Sequence, residues 1–351
     1  MRVIPPISIT SITSSTVPEE VAATYNAGTT YATGDLVGLA STYGAAQTVW
    51  RSLQDSNTGN TLAEGAWWTE AGDVYPVYNS GSSCDTGGIV TDLASHSLYE
   101  SLVDSNTGNA LSDTVKWKYI GKTNRWRIFD YTRNNKTSVP LTFTVVFAPG
   151  QRIDSIALAG VVANSYSITV TSVTGGGTVY TSSGSLNTRN TLTWSEYFFG
   201  EFGTMPSIAL FDIPPYSDNI VTVTLTSTSG QAAAGALVVG TSVYLGGTQY
   251  RAVSDVLNFS SVERDADGNA ILTQRRNIPK TRQEVLSDKA QVNKIIEVRK
   301  ELNATPAIWY GIDNTADGYF EAVSILAFYR DFQINLTYPE NAILSIELEE
   351  V

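Results

Sequence analysis

The chain contains one histidine, His96, and one cysteine, Cys84, among 351 residues. Serine–histidine or cysteine–histidine catalysis would have to use that histidine. It stands just ahead of Leu98-Tyr99-Glu100 with no motif around it, so it reads as a surface or turn residue. Cys84 lies in the Gly/Ser/Asp-rich stretch from Ser80 to Gly88 and reads as a small loop residue. A lone thiol can form no intrachain disulfide and gives no metal-ligand spacing. Glu196 and Glu201 flank Tyr197, Phe198 and Phe199 in an aromatic connection with Trp194 and Phe202. Two carboxylates flanking a sugar bond would make a glycosidase. Glutamates five residues apart in such a loop read instead as solvated surface. Asp265-x-Asp267-Gly268-Asn269 suggests a calcium loop. An EF-hand loop needs further acidic ligands and a closing bidentate Glu, and that closing position is Arg276. The segment reads as a hairpin. The expectation is a chain with no catalytic residue, no metal and no cofactor, and hence not an enzyme.

Trp50, Trp67, Trp68, Tyr99 and Trp117 suit another chemistry, since aromatic rings can stack on the apolar faces of sugars. These candidate carbohydrate-binding residues belong to an internal repeat. Val49-Trp50-Arg51-Ser52-Leu53-Gln54-Asp55-Ser56-Asn57-Thr58-Gly59-Asn60 matches residues 98–109, and Asp-Ser-Asn-Thr-Gly-Asn recurs unchanged. At the same offset Trp68 matches Trp117 and Gly72 matches Gly121. Each unit reads as an aromatic-led strand, a turn tolerant of positive φ, and a strand carrying the tryptophan. Ahead of the first unit, Tyr25 to Val37 adds a short strand. The second has Gly87-Gly88-Ile89-Val90 there, and the match is poor. A module of about 45 residues has little core of its own, so Trp68 and Trp117 read first as core plugs, with sugar stacking the alternative. Trp67 alternates with Trp68 along its strand and points to the opposite face. It is the better exposed candidate, although its counterpart is Lys116.

Tyr31-Ala32-Thr33-Gly34-Asp35-Leu36-Val37, Val49 to Leu53 and Trp67-Trp68 resemble the small carbohydrate-binding modules attached to chitinases and cellulases. The resemblance covers residues 20–122 and implies a three-stranded sheet. With Asp-x-Asn-Thr-Gly added, the pattern is similar to modules in tail proteins of tailed bacteriophages. The opening Met1-Arg2-Val3-Ile4-Pro5-Pro6 resembles a phage and prophage tail-protein family. So do Ala304-Thr305-Pro306-Ala307-Ile308-Trp309-Tyr310-Gly311 and Phe328-Tyr329-Arg330-Asp331-Phe332-Gln333-Ile334 near the C-terminus.

The elements that must position these residues are mainly β. Thr/Val alternation over Ile220 to Thr226 reads as a half-buried strand, and Ala236 to Gly240 as a fully buried one. Asp288 is a candidate N-cap for one helix, with Val292, Ile295, Ile296 and Leu302 on its apolar face. The expected order is an extended arm (1–19), β-module 1 (20–76), β-module 2 (77–125), a jelly-roll-like β-sandwich (126–250) and an α+β assembly domain (251–351).

Hydrophobic residues make up 42% and charged residues 16%, with a net charge of −12. Binding to a nucleic-acid backbone or an anionic membrane needs clustered Lys and Arg, so neither is an expected partner. The longest apolar candidate, Ala232 to Leu245, is broken by Gly235 and Gly240, so no membrane insertion is expected. No secretory signal is visible. The chain is expected to be made in the host cytoplasm and to work in the virion tail, as a structural component of the tail tip, baseplate or an adjoining part. Expected partners are other virion tail proteins, copies of itself in a trimeric or hexameric ring, and a host cell-surface glycan. The arm, unable to fold alone, is expected to dock on a neighbour. The alternatives are a glycan-binding adsorption protein (a fibre or receptor-binding protein) and a polysaccharide depolymerase.

Overall fold

Val and Leu alternate with Thr at the start of the strand Ile220–Ala234, burying one face and leaving the other half-exposed. That strand lies at the centre of a five-stranded antiparallel sheet ordered 177–185, 165–172, 220–234, 137–147 and 12–15. Its apolar face packs Phe143, Phe147 and Val223 against Ile156, Leu158 and Leu237 of a three-stranded sheet ordered 207–210, 155–159 and 236–240. Gly235 turns the chain from one sheet into the other. A Cβ there would lie 2.0 Å from the Arg133 carbonyl, so the corner admits only glycine. This computed structural model describes residues 1–188, 193–200, 203–264, 267–312, 314, 317–336 and 338–351.

Every residue of Ser155–Ala159 and Ala236–Gly240 is buried. Unbroken apolar runs of this kind need cover on both faces, and a third layer supplies it. An eight-stranded sheet presents Ile4, Ile308, Tyr310 and Leu326 to the outer side of the three-stranded sheet. Its other side carries the helix Val292–Glu301, whose Ile295 and Val298 pack with Trp309, Leu344 and Ile346. Asp288 accepts a hydrogen bond from Ala290 N (2.7 Å), capping the short 3-10 turn that opens the helix. The architecture is therefore mainly β: a sandwich of five and three strands backed by an α+β layer. The short strands Val243–Tyr244 and Gly247–Thr248 also belong to the large sheet.

The docking partners of the N-terminal arm lie in its own chain. Arg2–Ile4 pairs between Val243–Tyr244 and Ala307–Tyr310 in the large sheet. Val3 points toward the helix side and Ile4 toward the middle sheet. Ile7 N then donates to the Val239 carbonyl (2.9 Å), and Ile12–Ser15 pairs with the edge of the five-stranded sheet. Residues 16–19 continue into the module region. The expectation of an arm reserved for a neighbour is corrected: its apolar side chains have their complement within the chain. Sequence cannot reveal this, because the pairing partner lies some 300 residues away.

Each module is a three-stranded antiparallel sheet, 36–38, 47–52 and 68–74 in the first, 89–92, 97–101 and 117–122 in the second. The first segments also correspond once the offset is changed. Tyr25-Asn26-Ala27-Gly28-Thr29-Thr30-Tyr31 aligns with Tyr78-Asn79-Ser80-Gly81-Ser82-Ser83-Cys84 at an offset of 53 rather than 49. The connection after the first strand is four residues shorter in the second module, 93–96 against 39–46. The poor match expected there is thus a matter of register.

Candidate functional site

The repeated Asp-Ser-Asn-Thr-Gly-Asn segment builds the same buried hydrogen-bond network twice. Ser56 and Ser105 take φ of 58° and 51°, and Gly59 and Gly108 take 74° and 76°. This turn drives Asn57 inward, where its Nδ2 donates to Ser52 Oγ (3.0 Å) and the Trp67 carbonyl (3.2 Å). Asn60 Nδ2 donates to Asn57 Oδ1 (2.8 Å), and the Asn60 carbonyl accepts from Trp68 Nε1 (3.0 Å) and Tyr25 Oη (2.8 Å). In the second module Asn106, Ser101, Lys116, Asn109, Trp117 and Tyr78 repeat each of these bonds within about 0.1 Å. The Tyr25–Trp68 and Tyr78–Trp117 rings both meet edge to face at 5.8 Å. Trp68 and Trp117 therefore sit in their module cores, with the indole N–H already bonded and no ring face offered to a ligand.

Among the differences between the modules, the one at Tyr31 bears on their packing. Tyr31 packs on Trp68 (5.3 Å) and accepts a hydrogen bond from Asn26 N (2.9 Å). Its counterpart is Cys84, which is buried, and burial raises its thiol pKa. The missing hydroxyl comes from module 1: Tyr43, on the longer connection, accepts from Asn79 N (2.7 Å) and packs beside Cys84 and Trp117. Gly44 and Gly88 bring the two backbones together there, with Ile89 N donating to the Gly44 carbonyl (2.8 Å). One module completes the core of the next, which fixes their relative orientation.

Of the other sequence candidates, Trp50, Trp67 and Tyr99 are half-buried. The Trp50 indole N–H is buried without an acceptor. Tyr99 lies directly opposite Tyr119, with the rings 5.8 Å apart at 70°. Tyr119 is 56% exposed. On the opposite face of the same two strands, Lys118 Nζ meets Glu100 at 3.3 Å. Tyr119 was missed because its repeat counterpart is Glu70, so the alignment marked no aromatic there. The structure thus brings Tyr99 to a second ring, separates Trp67 from its buried neighbour Trp68, and leaves Trp50 opposite Glu70. No family model matches the chain, and no curated protein is significantly similar to it.

His96 sits in the turn 93–96 with φ 53°, and its side chain is engaged. Its Nδ1 lies 2.8 Å from Oε1 of the buried Glu19, and its ring stacks on Trp126 at 4.0 Å. Glu19 also accepts from Thr123 Oγ1 (2.9 Å) and Trp126 Nε1 (3.3 Å), with Arg125 at 3.8 Å. Arg51 of module 1 donates to the Thr16 carbonyl (2.7 Å). Residues 16–19 are therefore clasped by both modules and by the segment that follows them. Glu19 is the residue that ends the arm, and its acceptor capacity is used in holding the modules to the body.

Glu196 forms a capping box with Thr193 for the six-residue helix Trp194–Phe199. Its carboxylate serves that turn, and its proposed partner Glu201, with Phe202, lies outside the described residues, as does Asp265. The helix carries Trp194 and Phe199 at 79% and 86% exposure, with Tyr197 and Phe198 packed beside them. Asp267-Gly268-Asn269 sits at the end of the hairpin formed by Ser261–Arg264 and Ala270–Thr273. No group of three His, Cys, Asp or Glu side chains able to hold a metal ion occurs among the described residues. No helix among them is long and apolar enough to cross a membrane.

Proposed function

We propose that the chain is a non-enzymatic structural component of a bacteriophage tail, at the tip, the baseplate or an adjoining part, and that its two modules are displayed from a layered body. The observation that carries this reading is the rigid mounting. Tandem modules share a core through Tyr43 and are held to the body through Glu19, so they act as one presented unit. A free glycan-binding protein has no need for a body of this size behind its modules, whereas a particle component needs surfaces for its neighbours. Immunogold labelling of released particles with antibody to the chain tests it. Label confined to one end of the tail is expected, and unlabelled particles sink the reading.

The Tyr99–Tyr119 pair, whose Tyr119 ring is exposed, favours a second role within the first, contact with a host glycan. Two adjacent rings, each with a phenol hydroxyl at its tip, supply apolar area with polar edges, as sugar stacking requires. On a glycan array, binding that falls at least about tenfold in Tyr119→Ala (about 1.4 kcal/mol) is expected. A silent array, or binding unaffected by Tyr119→Ala and Trp67→Ala alike, removes this role.

A further inference from the structure

Module 2 is built on a small cluster of buried apolar side chains, Cys84, Val90 and Trp117. A core of that size gives a short sheet little stability of its own. Tyr43 of module 1 and Tyr99 of module 2 both pack against this cluster. Cys84 stands where a tyrosine would fill the space from within, as Tyr31 does in module 1. The ring that completes module 2 therefore comes from its neighbour.

Tyr43 is firmly held. Its hydroxyl accepts from Asn79 N (2.7 Å). The next residue, Gly44, takes φ of 90°, and its carbonyl accepts from Ile89 N (2.8 Å). A Cβ on Gly44 would lie 3.0 Å from Cys84 Sγ and 3.3 Å from Gly88 Cα, so the connection rests directly on module 2. A short path leads from here to the Tyr99–Tyr119 pair. Ile89 opens the edge strand Ile89–Asp92, and the next residue, Val90, stands opposite Tyr99 in register. Tyr99 in turn stands opposite Tyr119 on the following strand. Val90, Tyr99 and Tyr119 thus form a row across three strands on one face of the sheet. One end of the row is buried in the cluster that Tyr43 completes, and the other is open, with Tyr119 56% exposed. What fills the closed end sets the position of the open one.

We infer that Tyr43 of module 1 is a positioning residue for the Tyr99–Tyr119 face of module 2, so that glycan contact by the second module depends on the first. The ligand in this inference rests on the glycan-contact reading, whereas the positioning does not, and the two are measured separately.

The test uses the full chain with Tyr43→Ala, Tyr43→Phe, the double variant Tyr43→Ala/Cys84→Tyr, and Ser41→Ala at an exposed site on the same connection. Circular dichroism confirms that each is folded. Hydrogen exchange reads the positioning. Tyr43→Ala is expected to speed exchange at 89–90, 98–100 and 118–120 while 69–74 in module 1 keeps its protection. An array of bacterial lipopolysaccharides and capsular polysaccharides reads the contact. Tyr43→Ala is expected to weaken binding by about 3- to 30-fold, the range that coupling through packed side chains reaches. Tyr43→Phe keeps the ring and should stay near wild type in both measurements, as should Ser41→Ala. The double variant returns a ring to the space from within module 2 and should recover both. Unchanged exchange at 98–100 and 118–120 in Tyr43→Ala overturns the inference, and so does equal loosening of the two modules. Array binding that Tyr43→Ala leaves unaltered overturns it while the glycan reading stands. A loss as large in Tyr43→Phe as in Tyr43→Ala, with no recovery in the double variant, overturns it too, because the ring is then not what matters. An array silent for wild type removes the glycan role alone, and the exchange data then decide the positioning.

Discussion

Asn57 and Asn106 each use their full amide to satisfy a turn, a serine and the next asparagine inside a module too small for a large apolar core. Truncating such a residue strands its partners, at a cost of about 1–3 kcal/mol per unsatisfied buried group. That is why the six-residue identity is polar while the flanking strands have drifted. Cys84 is the exception, and it makes a sharp prediction. Tyr43 occupies the space that Tyr31 fills in module 1. Cys84→Tyr alone should lower the thermal midpoint, because overpacking typically costs about 1–3 kcal/mol. Tyr43→Ala alone should also destabilise. Combined, they should recover stability, with a coupling of at least about 0.5 kcal/mol in a double-mutant cycle. Additive losses in that cycle would show that the two rings do not compete for one site.

At the scale of elements, local signals were legible and long-range ones were not. The helix at 292–301 announced itself through Asp288 and the 3.6-residue spacing of Ile295 and Leu302, both of which depend on near neighbours. The buried strand 236–240 was legible because only a doubly covered strand tolerates Ala-Leu-Val-Val. The front half of module 2 was hidden by a four-residue deletion that broke a single-offset comparison. Tyr119 was hidden because a repeat marks what two copies share, not what one copy gained. Nothing local distinguishes Val253–Asn258, which has no buried residue, from a strand with a covered face, since exposure is a property of what packs later. Where the strand Asn277–Asp288 enters the large sheet, Glu347 pairs with Lys280 and accepts a hydrogen bond from Arg282 (2.8 Å), which holds its carboxyl down to about 2. An acid with a depressed folded pKa stabilises the fold above its unfolded value, near 4.3, and that contribution is lost as pH falls toward 2. Amides at 278–282 should therefore exchange faster relative to the helix as pH drops through this window, after correction for intrinsic rates. Glu347→Gln should remove that difference. An identical pH response in wild type and variant would rule Glu347 out as the clasp.

For the whole molecule, the first nineteen residues decide whether four layers and two modules behave as one body. They contribute an inner strand to the large sheet, an edge strand to the sandwich and the carboxylate that holds the modules. Ile4 fills the boundary between the large and middle sheets, so Ile4→Ala removes packing from both layers at once and should cost about 2–5 kcal/mol. Glu19→Ala instead strands Thr123, Trp126 and His96, at a boundary the body does not need for its own core. Hydrogen exchange should separate the two effects. Ile4→Ala is expected to weaken protection in 155–159, 236–240 and 307–310 together. Glu19→Ala should leave those strands protected and raise exchange around 94–98 and 123–126. If both substitutions soften the same strands, the segment acts as ordinary core rather than as a strap with distinct attachments. If neither does, the layers are held by their mutual apolar faces alone, and the arm is freed to dock elsewhere.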